Sequence, residues 1–413
     1  MHDPTFHYAT MARNFQKADF RRDPNLIQEP VRAAVIVAAV QKAQVGFQQV
    51  DIASSKLRNS DVYRLNDISE QLILRHINRT IRRITRIKQS NRTSIVNSII
   101  RLSEEGLPFR IYKLDIASFY ESIDPAAVIE QIRRDGAYSS HFSSLLRTFF
   151  ACLTNVNILG LPRGLAISAT LSEILMRDFD REAMLDPRVH YYARFVDDII
   201  IITSGKENAR EFLRTVRRRL LPGISFNSKK TRIYTLSQFS NTHNASPPID
   251  AELDYLGYKI SIHHTQRTDR RYHRKVRLDL SEKKEKRIKS RLYLSFAEFR
   301  INNDFTALLN RVRMLCNNFH FIDVDRSIKR KSGIFFNYPL INLDASEALP
   351  RLDRYLHHLI VSHYAAAPGP GLFGRAQREA LFRNSFVKGY REKRFFHFPP
   401  SQLAALTRCW RYA

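Results

Sequence analysis

Tyr191-Tyr-Ala-Arg-Phe-Val-Asp-Asp-Ile-Ile-Ile-Ile-Thr203 is the stretch on which the fold turns. Residues 191–196 and 199–203 are apolar, β-branched or aromatic runs, and only Asp197 and Asp198 part them. That layout predicts a β-hairpin. Adjacent aspartates are common in turns, because Asp tolerates strained backbone and bonds its own main chain. Here the flanking runs favour burial, and two charges held between them cost free energy unless a cation balances them. Neutralisation by Arg194 is the alternative to a metal site.

A third carboxylate lies upstream. The segment Phe109–Asp115 alternates like a strand and ends on Asp115. If that strand neighbours the hairpin in one sheet, Asp115 and Asp197 can face each other. Hard oxygen ligands in such a cluster suit Mg²⁺, which keeps several waters and binds through a few carboxylates plus substrate phosphates. Two ions about 3.5–4 Å apart stabilise the attacking 3′-hydroxyl and the leaving pyrophosphate of an in-line displacement. The expected cofactor is a pair of Mg²⁺ ions, with Mn²⁺ as a substitute, and the expected chemistry is nucleotidyl transfer.

Around this centre the chain is long and basic. Its 413 residues, 44% of them hydrophobic, are more than one compact domain usually holds. Lys and Arg total 67 against 40 Asp and Glu, a formal charge of +27. Self-repulsion on that scale favours a polyanionic partner, nucleic acid first and a membrane surface second. Upstream, residues 31–101 read as helical and very basic. Ile73, Ile77, Ile81, Ile84 and Ile87 recur at three- and four-residue intervals and mark one apolar helix face. Downstream, 125–150, 166–182 and 207–220 read as helices, 160–164 as a loop, and 224–234 and 255–262 as strands. From 267 the charge climbs again, 281–299 is a basic amphipathic helix, and the remainder is mainly helical. One Gly-aromatic stretch, Gly333-Ile-Phe-Phe-Asn-Tyr-Pro339, interrupts it.

Cys152, Cys316 and Cys409 form no CxxC pair, which argues against a structural zinc site and fits a reducing cytoplasm. The N-terminal residues are polar and mixed in charge, unlike a signal peptide. The apolar run 31–40 is broken by Arg32 and is too short to span a bilayer, so no membrane partner is expected.

The string Leu114-Asp-Ile-Ala-Ser-Phe-Tyr-Glu-Ser-Ile-Asp124 resembles the first palm motif of reverse transcriptases, and Phe195-Val-Asp-Asp198 their second catalytic motif. Between them, Gly160-Leu-Pro-Arg-Gly-Leu-Ala-Ile-Ser168 resembles the loop and helix that hold template and nucleotide. Phe226-Asn-Ser-Lys-Lys-Thr231 resembles the N-x-x-K-T motif, and Tyr255-Leu-Gly-Tyr258 the primer-grip hairpin. The five stand in the family's order and cover about residues 110–260. The resemblance implies that Asp115 and Asp197 bind both metals, that Asp198 supports the primer-side metal, and that Ile116 offers a backbone carbonyl. Tyr120 falls where the family keeps a ring that excludes a ribose 2′-hydroxyl; ordinary core packing is the competing reading. Lys230 aligns with a lysine near the triphosphate, where it can assist the leaving pyrophosphate; a plain surface lysine is the competing reading. Gly164 lets backbone approach the ligand, and Arg163 stands where many relatives have glutamine. Lys88 and Arg92 are the candidates for gripping the incoming nucleotide, against a non-specific basic patch. Leu256, Gly257 and Tyr258 form the primer grip.

The resemblance implies an α/β (α+β) right-hand polymerase: an N-terminal segment and basic helical fingers at 1–109, an antiparallel-sheet palm at 110–262, and a helical basic thumb with C-terminal extension at 263–413. The wording around Tyr120, the Ile87-Lys-Gln-Ser-Asn-Arg92 stretch and the basic helical C-terminus with its Gly333–Pro339 interruption resemble bacterial defence-associated and abortive-infection reverse transcriptases. That implies an RNA-directed DNA polymerase in the bacterial cytoplasm, acting against phage on a dedicated non-coding RNA or without a template. Its partners would be dNTPs, an RNA template, the DNA product, and a defence protein or further copies of itself. A retron or group II intron type of enzyme, an RNA-dependent RNA polymerase and a non-catalytic nucleic-acid-binding protein are the other readings.

Overall fold

The computed structural model describes residues 4–57, 60–87, 90–237, 248–268, 271–323, 328–365 and 373–410. The chain divides into two compact units, 1–91 with 108–237, and 92–107 with 238–413.

The first unit is built on a four-stranded antiparallel sheet. In chain order its strands follow a small hairpin of β1 (Ile52–Leu57) and β2 (Ser60–Leu65). They are β3 (Phe109–Asp115), β4 (Val189–Phe195), β5 (Asp198–Thr203) and β6 (Arg232–Leu236), in the order β4-β5-β3-β6. β5 is a central strand, and Ile199, Ile200, Ile201 and Ile202 are all buried. Burial on both faces is why the run is continuously apolar rather than alternating. Tyr112, Leu114, Ile199 and Ile201 share one core with Leu171, Leu175 and Phe179 of the helix Ala166–Met184 and with Phe212 and Val216 of the helix Ala209–Arg218. Each fully buried apolar side chain of this size contributes roughly 1.5–3 kcal/mol.

Two expectations for this unit change. The helix Ile68–Thr85 buries Ile73, Ile77 and Ile81, but it ends at Arg86, whose φ is +54°. Ile84 is 40% exposed and Ile87 lies beyond the cap, so the apolar face stops one turn early. The stretch 31–101 is also not helical throughout, because the β1–β2 hairpin interrupts it. Its strands are exposed or half-buried along most of their length and carry no strong alternation for the sequence to show.

The second unit holds two three-stranded sheets among helices. One has the order β7-β8-β9, from Ile249–Tyr255, Tyr258–Thr268 and Arg271–Leu280. The helix Arg92–Ser103 and its following turn belong here rather than with the first unit. Buried Arg274 donates to the Glu105 and Leu107 carbonyls (2.6 and 2.7 Å), and Glu105 bridges His273. Boundaries at 109/110 and 262/263 therefore do not follow the chain's own contacts, which break at 91/92, 107/108 and 237/238. The helix Glu282–Asn302 matches the basic helix expected at 281–299. The C-terminal region is not all helical: β10 (Asn318–Asp323), β11 (Ile328–Gly333) and β12 (Phe395–His397) form the other sheet, in the order β11-β10-β12. Among the described residues no helix is long and apolar enough to cross a membrane.

Candidate active site

Strand register brings the carboxylates together. β3 pairs with β5 so that Asp115 lies directly opposite Asp198. β4 pairs with β5 so that Phe195 lies opposite Asp198, which leaves Val196 and Asp197 as a two-residue turn. Val196 has φ +60°, a left-handed backbone that costs a β-branched residue about 1–3 kcal/mol. The turn is tied to the end of β3 by the Ile116 N–H, which donates to the Asp197 carbonyl (3.0 Å). From the other side, the Asn227 N–H donates to the Asp115 carbonyl (2.7 Å) and the Ala117 N–H to the Ser225 carbonyl (2.9 Å).

The electrostatics report the crowding. Burial raises the Asp198 pKa to about 6, and Asp197 and Asp115 add to the rise against Lys113 and Lys230. Burial also raises Asp197, with Asp115 adding to it, while Lys230 and Arg163 pull the other way. Lys230 Nζ donates to both oxygens of buried Asp115 (2.8 and 3.0 Å), and that bond raises its own pKa. Arg194 does not neutralise the pair. It is bonded to Asp180 (2.7 and 2.8 Å) and Glu173 (2.7 and 3.3 Å), and it also donates to the Val196 carbonyl at 3.1 Å. The alternative reading of Arg194 is thereby removed.

Among the described residues no three His, Cys, Asp or Glu side chains are grouped to hold a metal ion. The donor set nonetheless fits divalent cations. Three carboxylates lie on adjoining strand ends, two of them with pKa values raised in part by their like-charged neighbours, and an ammonium occupies the place of a cation at Asp115.

A cleft of about 520 Å³ opens over Asp115 and Asp197, lined by Ile116, Arg163, Asn227 and Lys230 among others. Its wall includes Phe119 rather than Tyr120. Tyr120 is half-buried, with the Arg163 guanidinium 5.6 Å over its ring, and burial first, then Glu173 and Asp197, raise its pKa. Arg163 also pairs with Glu121 (3.1 Å). Gly164 has φ +106°, and a Cβ there would lie 2.6 Å from the Tyr63 carbonyl. β2 approaches it closely, and the Tyr63 N–H donates to the Arg163 carbonyl (2.7 Å). Through that contact the hairpin adds Ser60, Asp61 and Tyr63 to the cleft, residues that sequence reasoning missed. The β-branched and aromatic positions of Asp61-Val-Tyr-Arg-Leu65 were the available signal.

Of the remaining candidates, Lys88 lies outside the described residues. Arg92 belongs to the second unit, where its guanidinium sits 5.3 Å from the ring of Tyr258 and 4.9 Å from that of Tyr338. Its charge faces both rings in a cation–π stack, a packing role that stands beside the expected nucleotide grip. Leu256 and Gly257 form the β7–β8 turn (φ +48° and +83°), and Tyr258 is buried with its ring edge-on to Tyr338.

Residues 55–260 match the family described as reverse transcriptase (RNA-dependent DNA polymerase). No protein with a curated description matches the chain. Among solved structures, it is similar to apo telomerase from Candida tropicalis truncated from its C-terminal domain (14% identity, 55% of this chain and 58% of that one, TM-score 0.34). It is also similar to telomerase from Candida albicans in complex with a fragment of telomeric RNA (10% identity, 91% and 67%, TM-score 0.35). The chain thus spans less than two thirds of the first of these structures. With its helices and antiparallel sheets, the chain has the right-hand polymerase fold.

Proposed function

We propose that this chain, which belongs to the reverse transcriptase family and is an RNA-directed DNA polymerase, builds DNA from dNTPs by two-metal nucleotidyl transfer at Asp115, Asp197 and Asp198. The observation that carries the site is the register that sets Asp115 opposite Asp198, with Asp197 in the adjoining turn. Asp115, Asp197, Asp198 and the Ile116 carbonyl would hold Mg²⁺. When bound, the ions supply charge stabilisation to the attacking 3′-hydroxyl and the leaving pyrophosphate. Lys230, released from Asp115, reaches toward the triphosphate and gives charge or a proton to the leaving group. Arg163, poised beside Glu121 and over Tyr120, binds phosphate or template backbone. Tyr120 sets sugar selectivity through the wall behind the cleft, so Tyr120→Ala is expected to admit ribonucleotides; unchanged selectivity removes it from the site.

The biological setting we infer is bacterial antiphage defence in the cytoplasm, on a dedicated non-coding RNA or template-free. Its support is the sequence likeness around Tyr120 and in the basic C-terminal region. The test is incorporation of each labelled nucleotide with Mg²⁺ by protein carrying its co-purified nucleic acid, followed by product sequencing, with Asp197→Ala/Asp198→Ala as control. Deoxynucleotide products absent from the control are the expected result, and their sequence separates templated from template-free synthesis. Ribonucleotide products, or equal products from the control, overturn the proposal.

A further inference from the structure

We propose that the exposed face of the β11-β10-β12 sheet is a second nucleic-acid site, which holds the unpaired stretch of the RNA template by base stacking and phosphate contacts. Naming the occupant as RNA rests on the RNA-directed reading of the first unit. The face is defined by register. His320 lies opposite Lys331 on β11 and opposite His397 on β12, while Asn318 lies opposite Phe395. Alternation sends Phe319 to the other side, where it meets buried Phe398 (centroids 5.8 Å apart). That side of the sheet is packed; on the other, Asn318 is buried while Lys329, Lys331, Phe395 and His397 are exposed.

The open side has the chemistry of a single-strand platform. The Phe395 ring is 39% exposed and stacks on His320 (4.7 Å, 26°), with Lys331 Nζ 5.5 Å over it. The imidazole of His320 is held below its ordinary pKa, by desolvation and then by Lys329, Lys331 and His397, so at neutral pH it is an uncharged stacking ring. Lys329, Lys331 and His397 are exposed around the stack. The acid beside them, Glu392, already pairs with Arg394 (2.5 Å) and Lys388 (3.9 Å). Positive charge beside a partly exposed aromatic ring favours a strand that offers both phosphates and unstacked bases. A duplex hides its base faces and gains nothing from Phe395. The exposed His397 imidazole offers a ring nitrogen to a ribose 2′-hydroxyl, which is the basis for preferring RNA over DNA.

The test is fluorescence anisotropy of the full chain with a labelled oligo-uridine, without Mg²⁺ or nucleotides, beside oligo-thymidine and a blunt duplex. Phe395→Ala is expected to weaken oligo-uridine binding roughly ten-fold, and Phe395→Trp to restore it. Lys329→Ala/Lys331→Ala is expected to lower the salt slope by roughly 1.4, at about 0.7 per phosphate contact on a single strand. Duplex affinity and melting temperature stay at the wild-type values. A photoreactive uridine in the same RNA should crosslink to the peptide containing Phe395. Unchanged oligo-uridine affinity in Phe395→Ala, or a crosslink confined to other peptides, overturns the site. Equal loss for oligo-thymidine overturns the assignment to RNA. Incorporation on a short recessed duplex is measured in parallel, so failure of the polymerase reading is seen separately from failure of the sheet.

Discussion

The turn at Val196-Asp197 and the turn at Leu256-Gly257 each join two antiparallel strands through two residues, yet only the first carries buried carboxylates. The second has positive φ at both positions, the type I′ pattern that suits the strand twist, and uses glycine at one of them. The first puts a β-branched valine in the left-handed region and follows it with two carboxylates whose pKa values burial raises. Backbone strain and carboxylate desolvation coincide where the chemistry is proposed, whereas the hairpin of the second unit, with Leu256 also left-handed, carries no buried carboxylate in its turn. A site that stores charge for an incoming cation gives up local stability, and the turn expected to grip the primer stores no such charge.

The largest effect should fall on the strained turn. Asp197→Ala is expected to reduce nucleotide incorporation by at least 10²–10³-fold, on the order of what loss of one key electrostatic group costs an enzyme. Template–primer binding should be nearly unchanged, and loss of binding would make the carboxylates structural and break the contrast. The Leu256-Gly257 turn should answer in stability. Gly257→Ala forces a Cβ to 3.1 Å from Arg92, Lys284 and Tyr338 at φ +83°. It should cost about 1–2 kcal/mol in denaturant unfolding.

Arg92→Ala removes the cation from between Tyr258 and Tyr338 and should cost about 1 kcal/mol, with the KM for dNTPs unmoved. A raised KM with unchanged stability would assign Arg92 to nucleotide binding instead. The smallest effect concerns Asp198. Its folded pKa of about 6 exceeds the unfolded value, so the folded state holds the proton more tightly. The penalty of its charge is absent below the unfolded pKa, grows as pH rises toward 6, and is fully present above. Asp198→Asn should therefore gain about 1 kcal/mol of stability at pH 7 and far less at pH 4, read from unfolding curves at the two pH values. A gain equal at both would show that the carboxylate charge is not what strains the turn.

Some of this was legible in residue order and some was not, for physical reasons that differ by element. The 191–203 hairpin, the strand ending at Asp115 and the helix after Gly164 were visible because their apolar runs are long and their periods unmixed. The β1–β2 hairpin was not, because strands with little buried surface need no alternation. The β10–β12 sheet read as helix interrupted by an aromatic stretch, since β12 is three residues long and pairs in parallel with a strand far away in sequence. Ile84 and Ile87 continued a helical period that the left-handed Arg86 ends. Arg92 was placed by charge, and its ring partners lie too far along the chain to be foreseen.

The sequence by itself determined the sheet-forming core of the first unit, the three aspartates at its strand ends and the basic character of the chain. Those depend on burial preference and backbone period, which each short segment carries on its own. Only the tertiary structure decided that Asp115 faces Asp198 in register, that Lys230 holds Asp115, that Arg194 serves Asp180 and Glu173, and that 92–107 belong with the C-terminal unit. Each of these is a choice of partner between remote residues. Such choices follow from packing and desolvation over the whole fold, which no local stretch encodes.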